Sequence, residues 1–130
     1  EGSGLSRAAL LTPNATIALL RHMDRHCHAG VFRDSLPVAG VDGTLRNRMK
    51  GTAAEKNVRA KTGTIRYVNA LSGYVTTAAG ERLAFSIMRN NYQHPGPQTP
   101  AAADLDAIAV MLAELADHSR TAASGGGQTR

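Results

Sequence analysis

Apolar residues recur at helical spacing near both ends of the chain and alternate in its middle, and these textures predict the elements. Ala15, Ile17, Ala18, Leu19, Leu20 and Met23 suit a helix over about residues 13–26 with one buried face. Thr12 is placed to cap it, and Pro13 has its φ preset for the first helical position. Gly30 is expected at the end of this helix or just past it, followed by a short helical turn over residues 31–35. Residues 36–43 carry a proline and two glycines through an apolar run and predict a loop. Residues 44–57 show no period and predict loop or short helix.

From Val58 onward the texture changes. Residues 58–67 and 69–77 predict strands, the second alternating Leu71, Gly73 and Val75 against Ala70, Ser72 and Tyr74. Ala79-Gly80-Glu81 predicts a hairpin turn, and residues 82–90 a third strand with Leu83, Phe85 and Ile87 on one face. Connections this short exclude parallel crossovers, so the strands form an antiparallel meander. Three prolines make residues 94–100 a loop, and Leu105, Ile108, Leu112 and Leu115 place a helix over residues 102–116. The fold class is α+β, an antiparallel sheet flanked by helices.

Composition adds bounds. The 130 residues are 42% hydrophobic and 19% charged, enough for one domain with a real core and unlike a disordered or collagen-like chain. We expect that domain over residues 1–118 and a disordered tail over 119–130, where Gly125-Gly126-Gly127 falls. No apolar run is long enough to cross a membrane. Cys27 is the single cysteine, which excludes an internal disulfide. The chain starts at Glu1 without a signal-like segment, and this suggests an interior or C-terminal piece of a longer protein.

Charge is skewed, with 15 Lys and Arg against 10 Asp and Glu, a net charge of +5. Arg46, Arg48, Lys50, Lys56, Arg59, Lys61 and Arg66 are concentrated in one stretch that attracts anions. Three Tyr, two Phe and no Trp leave little for stacking on bases, which argues against a nucleic-acid partner.

The segment richest in chemistry is Lys61-Thr62-Gly63-Thr64, on the first strand of the meander. At an exposed sheet edge, Gly63 would let a second backbone lie alongside. Lys61 supplies a fixed cation, Thr62 and Thr64 supply hydroxyls suited to a carboxylate, and the Thr64 N–H could meet a developing oxyanion. Taken alone, the same four residues also fit an ordinary basic strand with a glycine bulge.

The surrounding segments resemble one family in order. Gly2-Ser3-Gly4-Leu5-Ser6-Arg7 resembles the D-G-S-G-L-S-R segment of class C low-molecular-mass penicillin-binding proteins, the D-alanyl-D-alanine carboxypeptidase/endopeptidase family of serine peptidases. The run from Leu36 to Leu45 resembles the family's next block. Ala60-Lys61-Thr62-Gly63-Thr64 then matches its third active-site motif, which accompanies S-x-x-K in this class of acyl-serine enzymes. Leu71-Ser72-Gly73-Tyr74 and Ala84-Phe85-Ser86 match the two strands after it. The resemblance covers about residues 1–92 and extends to the final helix.

The resemblance implies the C-terminal part of a penicillin-binding, serine β-lactamase-like transpeptidase domain, in which the family's sheet has five strands. Lys61 would support proton transfer and the anionic end of the substrate. Thr62 and Thr64 would hold the terminal carboxylate of D-Ala-D-Ala, the Thr64 N–H would form half an oxyanion hole, and Gly63 completes the motif. Leu5 and Arg7 would contact the stem-peptide side chain, Ser3 and Gly4 would shape their loop, and Ile65 would line the same pocket. Glu1 stands where the family has Asp. Implied partners are a peptidoglycan stem peptide ending in D-Ala-D-Ala, β-lactam antibiotics and the remaining N-terminal part of the same protein. No cofactor is called for, and the site of action would be periplasmic or otherwise extracytoplasmic.

The sequence contains no Ser-x-x-Lys and no Ser-x-Asn, the family's nucleophile and second motifs. Without nucleophile and base there is no acylation, so these residues alone are expected to be inactive. The other reading is a non-catalytic basic module for nucleic acid or an anionic wall polymer, distinguished by steeply salt-dependent binding. His22, His26, Cys27 and His28 lack a complete ligand spacing and are taken as a polar helix end, not a metal site. Arg21 and Arg25 are taken as a solvated face, Asp24 and Asp34 as acids without a nucleophile, and Tyr67 and Tyr74 as packing residues on strands.

Overall fold

The computed structural model describes Gly4, Ser6, residues 8–91 and residues 102–116. The elements run α1 (Pro13–Asp24), α2 (Ala29–Asp34), a 3-10 turn (Gly43–Leu45), β1 (Arg59–Ile65), β2 (Val68–Thr76), β3 (Arg82–Arg89) and α3 (Ala103–Glu114). The strands form one antiparallel sheet in the order β1-β2-β3, the meander that the short connections require. Among the described residues, no helix is long and apolar enough to cross a membrane.

α1 begins as its sequence dictates. Thr12 is the N-cap, its Oγ1 accepting from the Ala15 N–H at 3.2 Å, and Pro13 follows in the first turn. The helix stops at Asp24, earlier than its apolar spacing predicts. His26 N–H bonds back to the Met23 carbonyl, and His26 Nδ1 accepts from the His28 N–H, so a turn replaces the last helical residues. The chain then re-enters a helix at Ala29, so Gly30 lies inside α2 and does not terminate α1.

The sheet is packed on both faces. One face carries Ala60, Leu71, Val75 and Phe85 against Leu105, Ala109 and Ala113 of α3, with Leu45 and Val58 completing the main core. The other carries Tyr74 against Leu20 of α1 and Leu36, with Phe32 and Ala84 beside them. Period-two alternation thus delivers Leu71 and Val75 to α3 and Tyr74 to α1. Each fully buried Leu or Val contributes about 1.5–3 kcal/mol relative to exposure.

Polar ties fix the aperiodic stretch between the 3-10 turn and β1. The Asn57 side chain donates to the Thr76 carbonyl at 2.7 Å and accepts from the Thr76 N–H at 2.9 Å, clamping the loop to β2. Arg48 engages Asp106 of α3 through Nε and Nη2, the shortest contact being 2.6 Å. At the far end of β2, the Glu81 N–H donates to Thr77 Oγ1 and Gly80 adopts φ +84°, closing the turn predicted at residues 79–81. The tail over 119–130 and the loop over 94–100 lie outside the described residues.

Candidate functional site

β1 is an edge strand with two kinds of edge. Its inner side pairs with β2, from Arg59↔Tyr74 to Ile65↔Val68. Among the described residues, its outer side is covered only at the start, where the Ala60 N–H donates to the Pro37 carbonyl at 3.0 Å and Ala39 N–H to the Val58 carbonyl at 2.9 Å. In an antiparallel pair, outward and inward backbone groups alternate. Ala60 faces outward, so Thr62 and Thr64 do as well, and the covered edge gives way to an open one between Ala60 and Thr62. Two N–H donors, roughly 7 Å apart along the strand, therefore face outward on this edge.

Side chains of the same segment gather around that edge. Lys61 is exposed, and its Nζ donates to the Thr62 carbonyl at 2.7 Å, which places the cation at the open edge. Thr62 Oγ1 donates to Thr44 Oγ1 at 3.0 Å, bringing in a residue from the 3-10 turn. Thr64 Oγ1 donates across the register to Asn69 Oδ1 at 3.4 Å, so its hydroxyl is turned toward β2. Gly63 would tolerate a Cβ in this fold, since the nearest atom would be Ala70 Cβ at 3.4 Å. What its lack of a side chain preserves is the open space between Lys61 and Ile65 on one face of the strand.

Ile65 is half-buried and lines a groove of about 730 Å³ with Ser6, Leu10, Tyr67 and Met88. Ser6 thus reaches the groove at the end of β1. Gly4 is exposed at φ +73°, a conformation that suits glycine, while Ser3, Leu5 and Arg7 lie outside the described residues. Tyr67 is not a packing residue on a strand. It is the second residue of the two-residue turn between β1 and β2, at φ +64° and 48% exposed, with the Arg66 guanidinium 4.9 Å from its ring centre.

The remaining candidates fall elsewhere. His22, His26 and His28 lie ring against ring, with centres 5.6 and 5.3 Å apart, and Cys27 Sγ is 3.6 Å from His26 Nδ1. Among the described residues, no three His, Cys, Asp or Glu side chains are placed to hold a metal ion. Asp24 is an ion-pair hub, 3.1 Å from Arg33 and 2.8 Å from Arg82. The Arg82 hydrogen bond leads in holding its carboxyl below the usual range, against the opposing effect of burial. Burial leads in pushing the Tyr74 phenol up, with the Asp24 charge adding to it. Tyr74 does pack in the core, and its hydroxyl donates to the Leu20 carbonyl at 2.7 Å. Thr44 is the site residue that periodicity and spacing did not single out, because a hydroxyl on a 3-10 turn leaves no pattern.

Comparisons with known proteins agree on one lineage. Residues 1–115 match the D-Ala-D-Ala carboxypeptidase 3 (S13) family. A D-alanyl-D-alanine carboxypeptidase of Actinomadura sp. (strain R39) is 51% identical over 123 residues, covering 91% of this chain and 22% of that protein. The crystal structure of penicillin binding protein 4 from Haemophilus influenzae superposes with a TM-score of 0.76 at 31% identity, over 88% of this chain and 27% of that one. The same Haemophilus influenzae protein in complex with a novel β-lactam gives a TM-score of 0.73 at 33% identity, over 86% of this chain and 27% of that one. The chain therefore spans about a fifth to a quarter of the relatives it matches.

Proposed function

Because the chain belongs to the D-Ala-D-Ala carboxypeptidase 3 family, we propose that it forms the C-terminal part of a serine-type D-alanyl-D-alanine carboxypeptidase/endopeptidase. Residues 1–118 would belong to its penicillin-binding domain. The substrate would be a peptidoglycan stem peptide ending in D-Ala-D-Ala, and the enzyme would work outside the cytoplasmic membrane, where that polymer lies. The reading rests above all on the open edge of β1, where Lys61 and the outward Thr62 and Thr64 amides stand together.

The chemistry follows from that edge. A peptide laid along β1 would pair with the outward amides as an added strand, its carboxylate at Lys61 and Thr62. A serine hydroxyl from elsewhere in the polypeptide would attack the carbonyl of the penultimate D-Ala. The Thr64 N–H would donate to the oxyanion, and the proton lost by serine would pass to the departing D-Ala amine, with Lys61 supporting the transfer. Water would then hydrolyse the ester and free the serine. A β-lactam would acylate the same serine and release no amine, so the acyl-enzyme would persist. The nucleophile and its lysine are absent from these 130 residues, so the rest of the polypeptide is a required partner.

Fluorescent penicillin tests this directly on the full-length polypeptide and on these 130 residues. We expect the full-length protein to label, the 130-residue chain to stay dark, and Lys61→Ala to lower labelling at least 100-fold, the scale of losing one electrostatic stabiliser. A folded full-length protein that does not label would overturn the proposal.

A further inference from the structure

Thr44 and Thr62 face each other with their hydroxyl oxygens 3.0 Å apart, across 18 positions of sequence. Such a contact at an exposed site stabilises little, since water would serve either hydroxyl as well. Yet the turn that delivers Thr44 is held firmly. Leu45 is wholly buried, and its carbonyl accepts from the Gly40 N–H at 3.0 Å. Asp42 Oδ1 accepts from the Val38 N–H at 2.7 Å. Gly43 sits at φ +51°, and a Cβ there would fall 3.0 Å from Pro37 Cγ, so glycine is favoured at this point of the turn. A locked turn that presents one exposed hydroxyl to one strand residue points to geometry as its purpose.

We infer that Thr44 is a positioning residue for the substrate carboxylate, acting through the hydroxyl of Thr62. The inference rests on the reading of β1 as the edge that takes a D-Ala-D-Ala end. Each hydroxyl has one proton and two lone pairs, and rotates to suit its partners. With no substrate, Thr62 donates to Thr44. When a carboxylate arrives, the Thr62 proton turns to it, and Thr44 reverses to donate into the freed lone pair. Thr44 then keeps Thr62 in one rotamer and polarises its O–H, so the bond to the carboxylate strengthens. Without Thr44, Thr62 keeps its hydroxyl but loses its aim.

The test uses the full-length polypeptide and competition against fluorescent penicillin by two probes: an acyl-D-Ala-D-Ala peptide and its C-terminal amide. Thr44→Val should weaken competition by the acid about tenfold, the worth of one charge-assisted hydrogen bond, and leave the amide unchanged. Thr44→Ser should restore the acid, and Thr44→Val added to Thr62→Val should cost nothing more. Thr44→Ala serves as a second variant if valine disturbs the turn, with melting temperature as the check on folding. Equal loss for acid and amide, or no loss for the acid, would overturn the inference while leaving the proposed function standing. A wild-type protein that does not label at all would remove both.

Discussion

Gly73 of β2 lies so close beneath β1 that a Cβ on it would fall 2.0 Å from the Arg59 carbonyl oxygen and 2.6 Å from Ala60 Cα. Both are backbone atoms, so the strand itself would have to move. Gly73→Ala is therefore expected to displace β1 and with it Lys61, Thr62 and Thr64. We predict a loss of about 2 kcal/mol or more in stability and a fall in penicillin acylation of at least about tenfold. Chemical denaturation and labelling rates on the full-length protein measure the two effects.

Gly63 offers the contrast. A Cβ at Gly63 meets nothing closer than 3.4 Å, so Gly63→Ala should fold with little change in melting temperature. Its added methyl would stand between Lys61 and Ile65 on the same face of β1. The expected outcome is slower acylation in a protein of wild-type stability. If the variant labels as fast as wild type, the glycine has no part in substrate approach.

The sheet was legible in the sequence because alternation and short connectors leave an antiparallel meander no alternative. The start of α1 was legible because Thr12 and Pro13 act through local geometry, whereas its end was not, since a turn after Asp24 and not Gly30 stops it. Tyr67 was misread as a strand residue, since a two-residue turn between two apolar runs leaves an aromatic residue looking like part of the alternation. Polar ties across long spans were invisible. Asp24 meets Arg82 at a separation of 58 residues, as Arg48 meets Asp106, and no periodicity encodes either pair. The Lys61 to Thr64 segment stood out by its chemistry, whereas Thr44 depends on where a folded turn places one hydroxyl.

The Asp24 hub predicts an acid-side dependence of stability. Its carboxyl is held below its ordinary value chiefly by the Arg82 hydrogen bond. A group with a depressed folded pKa contributes stability that is present above its unfolded pKa, about 3.9, and lost as pH falls through the folded value. Asp24→Asn should therefore lower the melting temperature at pH 7 and flatten its decline below about pH 4. The partial exposure of Arg82 and Asp24 keeps the effect modest. Melting curves of both proteins from neutral to strongly acid pH decide it, and parallel curves would assign the acid loss to other carboxylates.

The outer face of α3 gives the last prediction. Ile108, Met111 and Leu115 follow one another at helical spacing and are 42%, 65% and 45% exposed, although the opposite face of the same helix buries Leu105, Ala109 and Ala113 in the main core. A helix with apolar side chains on two opposite faces suits a place inside a larger packed body. β1 adds an edge whose outward groups pair with no strand among the described residues beyond the Val38 bridge to Arg59. An apolar face and an open edge on one small unit favour self-association when the unit is made alone. We therefore expect these 130 residues by themselves to sediment as oligomers or aggregates. Ile108→Gln with Met111→Lys should shift them toward monomer without altering the circular dichroism of the helices. A wild-type chain that sediments as a single monomer and melts cooperatively would show that this face tolerates water, and would weaken the case that further polypeptide covers it.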